Sequence, residues 1–266
     1  MVVGKGQLTI GIHMVGTKKS LGQHWLKNRE ILEEIADAST PNSPVSSELC
    51  IEIGPGLGFL TSSLLKRFKK VIAIEYDERL ATNLPKSFPG KNLEVINADI
   101  LEVNLDDMTK GQKYVIAGNI PYYITSPILE KVLIAENLPE KVVLLMQKEV
   151  AERVIDKKET LLSLFVKNRA DVQLGMVVGR EEFTPPPKVD SQVLILRPHA
   201  PEIGEEVFKL IRQGFVSPRK KLIHNLAGLK SKEELARIFA DNGISLDARP
   251  GDLKLQNWAE LYRRLY

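Results

Sequence analysis

Five short apolar runs, near residues 49–53, 71–75, 93–97, 114–118 and 141–147, alternate with helical patterns and constrain this chain more than any other feature. Runs of that length bounded by glycine, proline or polar residues read as strands, and their alternation with helices implies a mostly parallel, doubly wound α/β sheet. Open sheets of this kind take their ligands at the carboxyl ends of the strands, so the residues just past each run are the candidates for function. Two later stretches, Asp171 to Val178 and Gln192 to Leu196, can add an antiparallel edge pair. After Pro198 to Pro201 the pattern becomes helical, with candidates at 203–215, 219–228, 231–242 and 253–265. A chain of 266 residues suffices for one full core and a small appended domain. The expected division is an unstructured extension over 1–17, a catalytic domain over 18–198 and a small all-α domain over 199–266.

The run that ends at Gly118 leads into Asn119-Ile120-Pro121-Tyr122-Tyr123. Pro121 fixes its own φ and biases Ile120 towards an extended backbone, which leaves the Ile120 carbonyl and the Asn119 amide oxygen free to accept hydrogen bonds from one NH2 group. Tyr122 can then lie on the face of a planar, amine-bearing base. A bare Asn-x-Pro-Tyr is more often a turn packed on the core; three further elements at strand ends outweigh that reading. Glu52-Ile53-Gly54-Pro55-Gly56-Leu57-Gly58 places glycines where a backbone must approach a ligand closely. Glu75 follows the second strand, where an acid can accept from ribose hydroxyls, and Asp99 follows the third, where it can accept from an adenine amino group. Ser126 and Pro127 read as the cap and first turn of the next helix, so the Asn119 loop is held at both ends.

Spacing separates the possible cofactors. A dinucleotide site wants Gly-x-Gly-x-x-Gly, whereas here the third glycine comes one residue early and Phe59 occupies its place; no Gly-Lys-Ser/Thr run for a triphosphate is present. S-adenosylmethionine, with ribose and adenine but no pyrophosphate, fits the glycines, Glu75 and Asp99 better.

Six ordered blocks carry a wider similarity: Lys19-Ser20-Leu21-Gly22-Gln23-His24-Trp25-Leu26, Glu52 to Gly58, Asn97 to Asp99, Asn119 to Tyr122, Gln147-Lys148-Glu149-Val150-Ala151 and Phe183-x-Pro185-Pro186-Pro187-Lys188-Val189-Asp190-Ser191. On these the chain resembles the small-subunit ribosomal RNA adenine N6,N6-dimethyltransferases from about Lys18 to its C-terminus. Two departures stand out. Trp25 replaces the usual phenylalanine, and Thr160-Leu161-Leu162-Ser163 lacks the glycine usual before its Leu-Ser pair. The resemblance implies a Rossmann-like methyltransferase fold with a helical C-terminal domain. It also implies S-adenosylmethionine contacts from His24, Leu26, Gly54, Gly56, Glu75, Asp99 and Asn119. Asn119, Ile120 and Tyr122 would handle the target adenine, Phe183 would stack on its other face, and two adjacent adenosines near the 3′ end of small-subunit RNA would each be dimethylated during ribosome assembly.

Charge is unevenly distributed around a formal net value of +3. The first 29 residues hold five basic side chains and no acid, and residues 199–266 hold twelve basic against nine acidic. Lys18 and Lys19, with Arg219, Lys220 and Lys221, are short basic knots suited to RNA phosphates. The single cysteine, Cys50, lies in the first strand and reads as a buried hydrophobe, which points to a reducing, cytoplasmic compartment. His13, His24, His199 and His224 lack metal-ligand spacing, and no apolar run reaches the roughly 18 residues of a membrane span. A monomer without metal, acting on RNA inside a pre-ribosomal subunit, is the expected state. Two other functions remain open: a large-subunit RNA methyltransferase conferring antibiotic resistance, and a non-catalytic RNA-binding assembly factor.

Overall fold

The computed structural model of the chain describes residues 23–41 and 48–266. Its elements run β1 (Trp25–Leu26), α1 (Arg29–Ser39), β2 (Leu49–Ile53), α2 (Phe59–Leu64), β3 (Lys70–Glu75), α3 (Glu78–Asn83), β4 (Leu93–Asn97) and α4 (Leu105–Thr109). Then come β5 (Tyr114–Asn119), α5 (Thr125–Leu133), β6 (Lys141–Gln147), α6 (Lys148–Ile155), α7 (Leu161–Lys167), β7 (Ala170–Val178), β8 (Phe183–Thr184) and β9 (Ser191–Pro198). Four helices follow: α8 (Glu205–Gly214), α9 (Leu222–Asn225), α10 (Lys232–Asp241) and α11 (Leu255–Leu265).

Seven strands form one sheet in the order β4-β3-β2-β5-β6-β9-β7. The first five in that order pair in parallel, whereas β9 is antiparallel to both β6 and β7. The chain winds outward from β2 through β3 to β4, then returns to build β5 on the other side of β2. That reversal opens a crevice between the carboxyl ends of β2 and β5, the place where doubly wound sheets bind ligands.

Alternate residues of each strand face opposite sides and so divide the core in two. Leu49, Ile51 and Ile53 pack with Ile116 and Leu144 on one face, beneath Ile128 and Leu129 of α5. Cys50 packs with Val115, Ala117 and Leu145 on the other, beneath Ile35 of α1 and Leu64 of α2. Each such side chain, when fully buried, stabilises the fold by about 1.5 to 3 kcal/mol. The first cluster continues without a break into the last helices through Phe208, Leu235, Phe239 and Trp258. A buried polar knot adds to that junction: the Glu159 carboxylate accepts from Ser163 Oγ at 2.7 Å, Lys167 Nζ at 2.9 Å and Lys254 Nζ at 2.7 Å.

Several local expectations change. The pair expected at the sheet edge is not wholly an edge, because β9 inserts between β6 and β7 and only β7 is outermost. Ser126 is not the cap of α5: the helix starts at Thr125, whose hydroxyl donates to the Tyr122 carbonyl at 3.1 Å. The helix expected over 219–228 shrinks to α9, with Arg219, Lys220 and Lys221 ahead of it. The 1–17 extension, Lys18 and Lys19 lie outside the described residues. No helix among the described residues is long and apolar enough to cross a membrane.

Candidate active site

The glycine loop after β2 is shaped by backbone that other residues adopt only with strain. Gly54, Gly56 and Gly58 have φ of 66°, 58° and 85°, in the left-handed region. A methyl group at Gly58 would also stand 2.6 Å from Leu84 Cδ1. At the neighbouring strand end, a methyl on Gly118 would stand 2.6 Å from the Ile53 carbonyl oxygen, so β5 approaches β2 closely where the crevice opens.

That crevice is a cavity of about 370 Å³. His24, Leu26, Gly54, Gly56, Glu75, Asp99, Asn119, Ile120 and Tyr122 all line it, so nearly every residue singled out for chemistry converges there. The lining also holds Glu52 and, among the described residues, no lysine or arginine. Such a wall fits a sulfonium-bearing adenosine, which carries a positive charge and no pyrophosphate.

Backbone amides hold Glu75. Its Oε1 accepts from Asp77 N at 2.8 Å and its Oε2 from Gly56 N at 3.1 Å, so the acid and the glycine loop are tied to each other. Burial raises its pKa, against the pull of those two amides. Each oxygen keeps a further lone pair for a ligand hydroxyl. Asp99 Oδ1 accepts from Leu101 N at 2.8 Å, which leaves Oδ2 as the acceptor for a ligand. Glu52 is more unusual. It is 1% exposed, its Oε2 has no hydrogen-bond partner, and burial, then the nearby Glu75 charge, push it up to about 8 against a pull down from Thr61. A carboxyl in that state favours a cationic ligand beside it.

Asn119 is fixed in orientation. Its Nδ2 donates to the His24 carbonyl at 3.0 Å; a carbonyl only accepts, so the amide nitrogen must face β1 and Oδ1 is left as an acceptor. Pro121 has φ −60° and ψ 133°, the φ its ring imposes. The Ile120 amide donates to the Leu145 carbonyl at 3.2 Å, which fastens the loop to β6. The Tyr122 ring lies 20° from the plane of His24 with centroids 6.0 Å apart. Trp25, the departure from the usual phenylalanine, covers the glycine loop: a methyl at Gly56 would touch its Nε1 at 3.4 Å.

Phe183 is not brought to the cavity. It pairs with Leu26 in the small β1–β8 ladder, is 2% exposed, and packs among Val178 and Val193, so its ring offers no face to a base. Arg219, Lys220 and Lys221 are exposed and none lines the cavity; Lys221 pairs with Asp247. Sequence reasoning missed Glu52 as a buried acid, along with Tyr76 and Tyr123, which line the cavity and are 63% and 64% exposed. Each of those tyrosines directly follows a residue already singled out, which was the available signal.

A family model described as ribosomal RNA adenine dimethylase matches residues 14–266. A curated protein of Bacillus thuringiensis named ribosomal RNA small subunit methyltransferase A is 39% identical, over 93% of this chain and 91% of its own length. Its namesake from Pediococcus pentosaceus is 35% identical, over 94% and 90%. Among solved structures, a dimethyladenosine transferase from Plasmodium falciparum has a TM-score of 0.73 at 29% identity, covering 90% of this chain and 96% of that one. The 23S rRNA methyltransferase ErmE has a TM-score of 0.72 at 26% identity, covering 91% and 99%.

Proposed function

Because this chain belongs to the ribosomal RNA adenine dimethylase family, we propose that it transfers methyl groups from S-adenosylmethionine to N6 of adenosines in small-subunit ribosomal RNA. Its targets in this reading are two adjacent adenosines near the 3′ end, each dimethylated while the subunit is assembled. The observation that carries the chemistry is the Asn119 amide, whose nitrogen is committed to the His24 carbonyl and whose oxygen is thereby an acceptor at the mouth of the glycine loop.

When bound, S-adenosylmethionine supplies an electrophilic methyl group on a sulfonium. Glu75 and Asp99 would hold its ribose and adenine, His24, Leu26, Gly54 and Gly56 would frame it, and Glu52 would face its positive charge. The N6 lone pair of adenine is delocalised into the ring, so what the chain must do is hold the amine and aim it. Asn119 Oδ1 and the Ile120 carbonyl accept its two hydrogens, which favours the pyramidal, nucleophilic amine. Tyr122 supports the face of a base drawn out of its stack. No covalent nucleophile is required.

Residues 18–198 would carry this chemistry and residues 199–266 the contacts with the subunit, where Arg219 and Lys220 are exposed and have no ion-pair partner among the described residues. Lys18 and Lys19 would add to those contacts. The enzyme would act as a cytoplasmic monomer on a pre-ribosomal subunit. ErmE shares the fold nearly as well as the dimethyladenosine transferase does, so the fold alone does not choose between subunits. The names of the relatives at 35 and 39% identity favour the small one.

Undermethylated small and large subunits incubated with labelled S-adenosylmethionine, followed by mapping of the modified bases, test the substrate; label confined to large-subunit RNA would refute it. Asn119→Ala tests the chemistry. Single-turnover methyl transfer should fall by about 100-fold while subunit binding, which rests on phosphate contacts elsewhere, is retained. Unchanged transfer would remove Asn119 from the mechanism.

A further inference from the structure

Tyr122 is held from a distance. Its hydroxyl is 2.7 Å from Ser191 Oγ, and Ser191 is fully buried at the first position of β9. That position is unusually well fixed: Ser191 stands opposite Gln147 at the end of β6 and opposite Val178 at the end of β7. The residue before it fastens both neighbours again, since the Asp190 carbonyl accepts from Lys148 N at 3.0 Å and Asp190 Oδ1 from Arg180 N at 3.2 Å. The same segment reaches the ring beside Tyr122, because His24 Nδ1 lies 2.7 Å from the Pro185 carbonyl and must donate to it. A tyrosine ring has two free side-chain torsions, and the ties its own turn makes, the Thr125 hydroxyl to the Tyr122 carbonyl at 3.1 Å and Ile124 against the core, hold the backbone and not the ring. The far end of the ring is therefore where its plane is set.

We propose that Ser191 is a positioning residue for methyl transfer, its Oγ pinning the Tyr122 hydroxyl and so fixing the plane of the ring on which the target base rests. The inference depends on the reading of Tyr122 as a base support. Burial raises the pKa of the phenol, which keeps its proton available for this bond at neutral pH. Ser191 touches neither the methyl donor nor the base; it acts through Tyr122 alone. Loss of the bond lets the ring tilt, and misplacement on the scale of an ångström costs catalysis rather than affinity for the donor.

The test uses the full-length enzyme with S-adenosylmethionine and undermethylated small subunits. Ser191→Ala, Tyr122→Phe, the double variant and Tyr122→Ala are compared by single-turnover rate, by calorimetric affinity for the donor and by thermal unfolding. Ser191→Ala and Tyr122→Phe should each slow transfer by roughly tenfold, with donor affinity unchanged, and the double variant should be no slower than either single one. Tyr122→Phe retains the ring and its packing, so the experiment stands even if Ser191→Ala folds poorly. Multiplied losses in the double variant, or wild-type rates in both single variants beside an impaired Tyr122→Ala, would overturn the role of Ser191 alone. A fully active Tyr122→Ala would overturn the base-support reading and this inference with it.

Discussion

Glu52 is the residue whose replacement says most about the electrostatics of the site. Its carboxyl is buried in β2, one oxygen lacks a partner, and its pKa stands at about 8 against an ordinary 4.5. A carboxyl with a raised folded pKa contributes stability that is fully present below its unfolded pKa and is lost as pH rises towards the folded one. From about pH 4.5 upwards the unfolded chain ionises at this residue while the folded chain resists, and across the whole window the difference amounts to about 5 kcal/mol. Between about pH 5.5 and 7.5, where measurement is practical, the wild type should lose about 2 to 3 kcal/mol from this source.

Glu52→Gln keeps the shape and removes the titration. Its amide introduces a fixed offset in stability, so the quantity to compare is the change with pH, not the absolute value. Urea unfolding of wild type and variant at several pH values, with m-values checked for constancy, provides it. Groups common to both proteins cancel, Glu75 included except for the relief it gains when its neighbour's charge is gone. The variant should be flatter with pH by that 2 to 3 kcal/mol. Parallel curves would refute the reasoning, because they would mean that Glu52 ionises at its ordinary pKa and that solvent or a counter-charge reaches it.

Glu75→Ala and Asp99→Ala should each weaken S-adenosylmethionine binding by about 1 to 3 kcal/mol in calorimetry. Glu75→Ala should be the worse, since it also frees the Gly56 and Asp77 amides; wild-type affinity in both would sink the pocket assignment. Replacing Arg219, Lys220 and Lys221 with Gln should weaken subunit binding and lower its log-log salt slope by up to roughly 0.7 to 0.9 for each phosphate left unneutralised, with donor affinity unchanged. Coincident salt lines would make the cluster a solvated surface. Glu159→Ala should lower stability by about 2 kcal/mol, less than the full cost of breaking a buried pair because Lys167 and Lys254 are 26% and 46% exposed and can turn to water. Burial opposes ionisation of Glu159, but the bonds from Lys254, Ser163 and Lys167 outweigh it and hold the carboxyl low, so this contribution is present at neutral pH and lost on acidification, opposite in sign to Glu52. Equal acid sensitivity of wild type and Glu159→Ala in thermal unfolding would contradict it.

What the sequence disclosed and what it withheld divide along one physical line. The inner parallel strands β2, β3, β5 and β6 were legible because burial on both faces demands apolar runs, and Gly54, Glu75, Asp99 and Asn119 were legible because each lies at the end of a strand or within two residues of one. Position along the chain was enough to bring them to one crevice. Direction was not. Phe183 sits beside a triple proline and looks available for stacking, yet its ring turns inward because β8 pairs with β1, an alignment of Phe183 with Leu26 that no local pattern announces. The Tyr122 to Ser191 bond spans 69 positions and joins a turn to the start of an antiparallel strand, so its two ends meet only once β9 has inserted beside β6. Glu52 marks the boundary case, since an acid inside an apolar run is visible in the sequence. Its cost becomes apparent only when the strands on both sides are known to exclude water from it. The residues proposed to touch a ligand follow from strand ends, whereas those proposed to aim them depend on pairings between distant segments, and it is among the latter that sequence reading fell short.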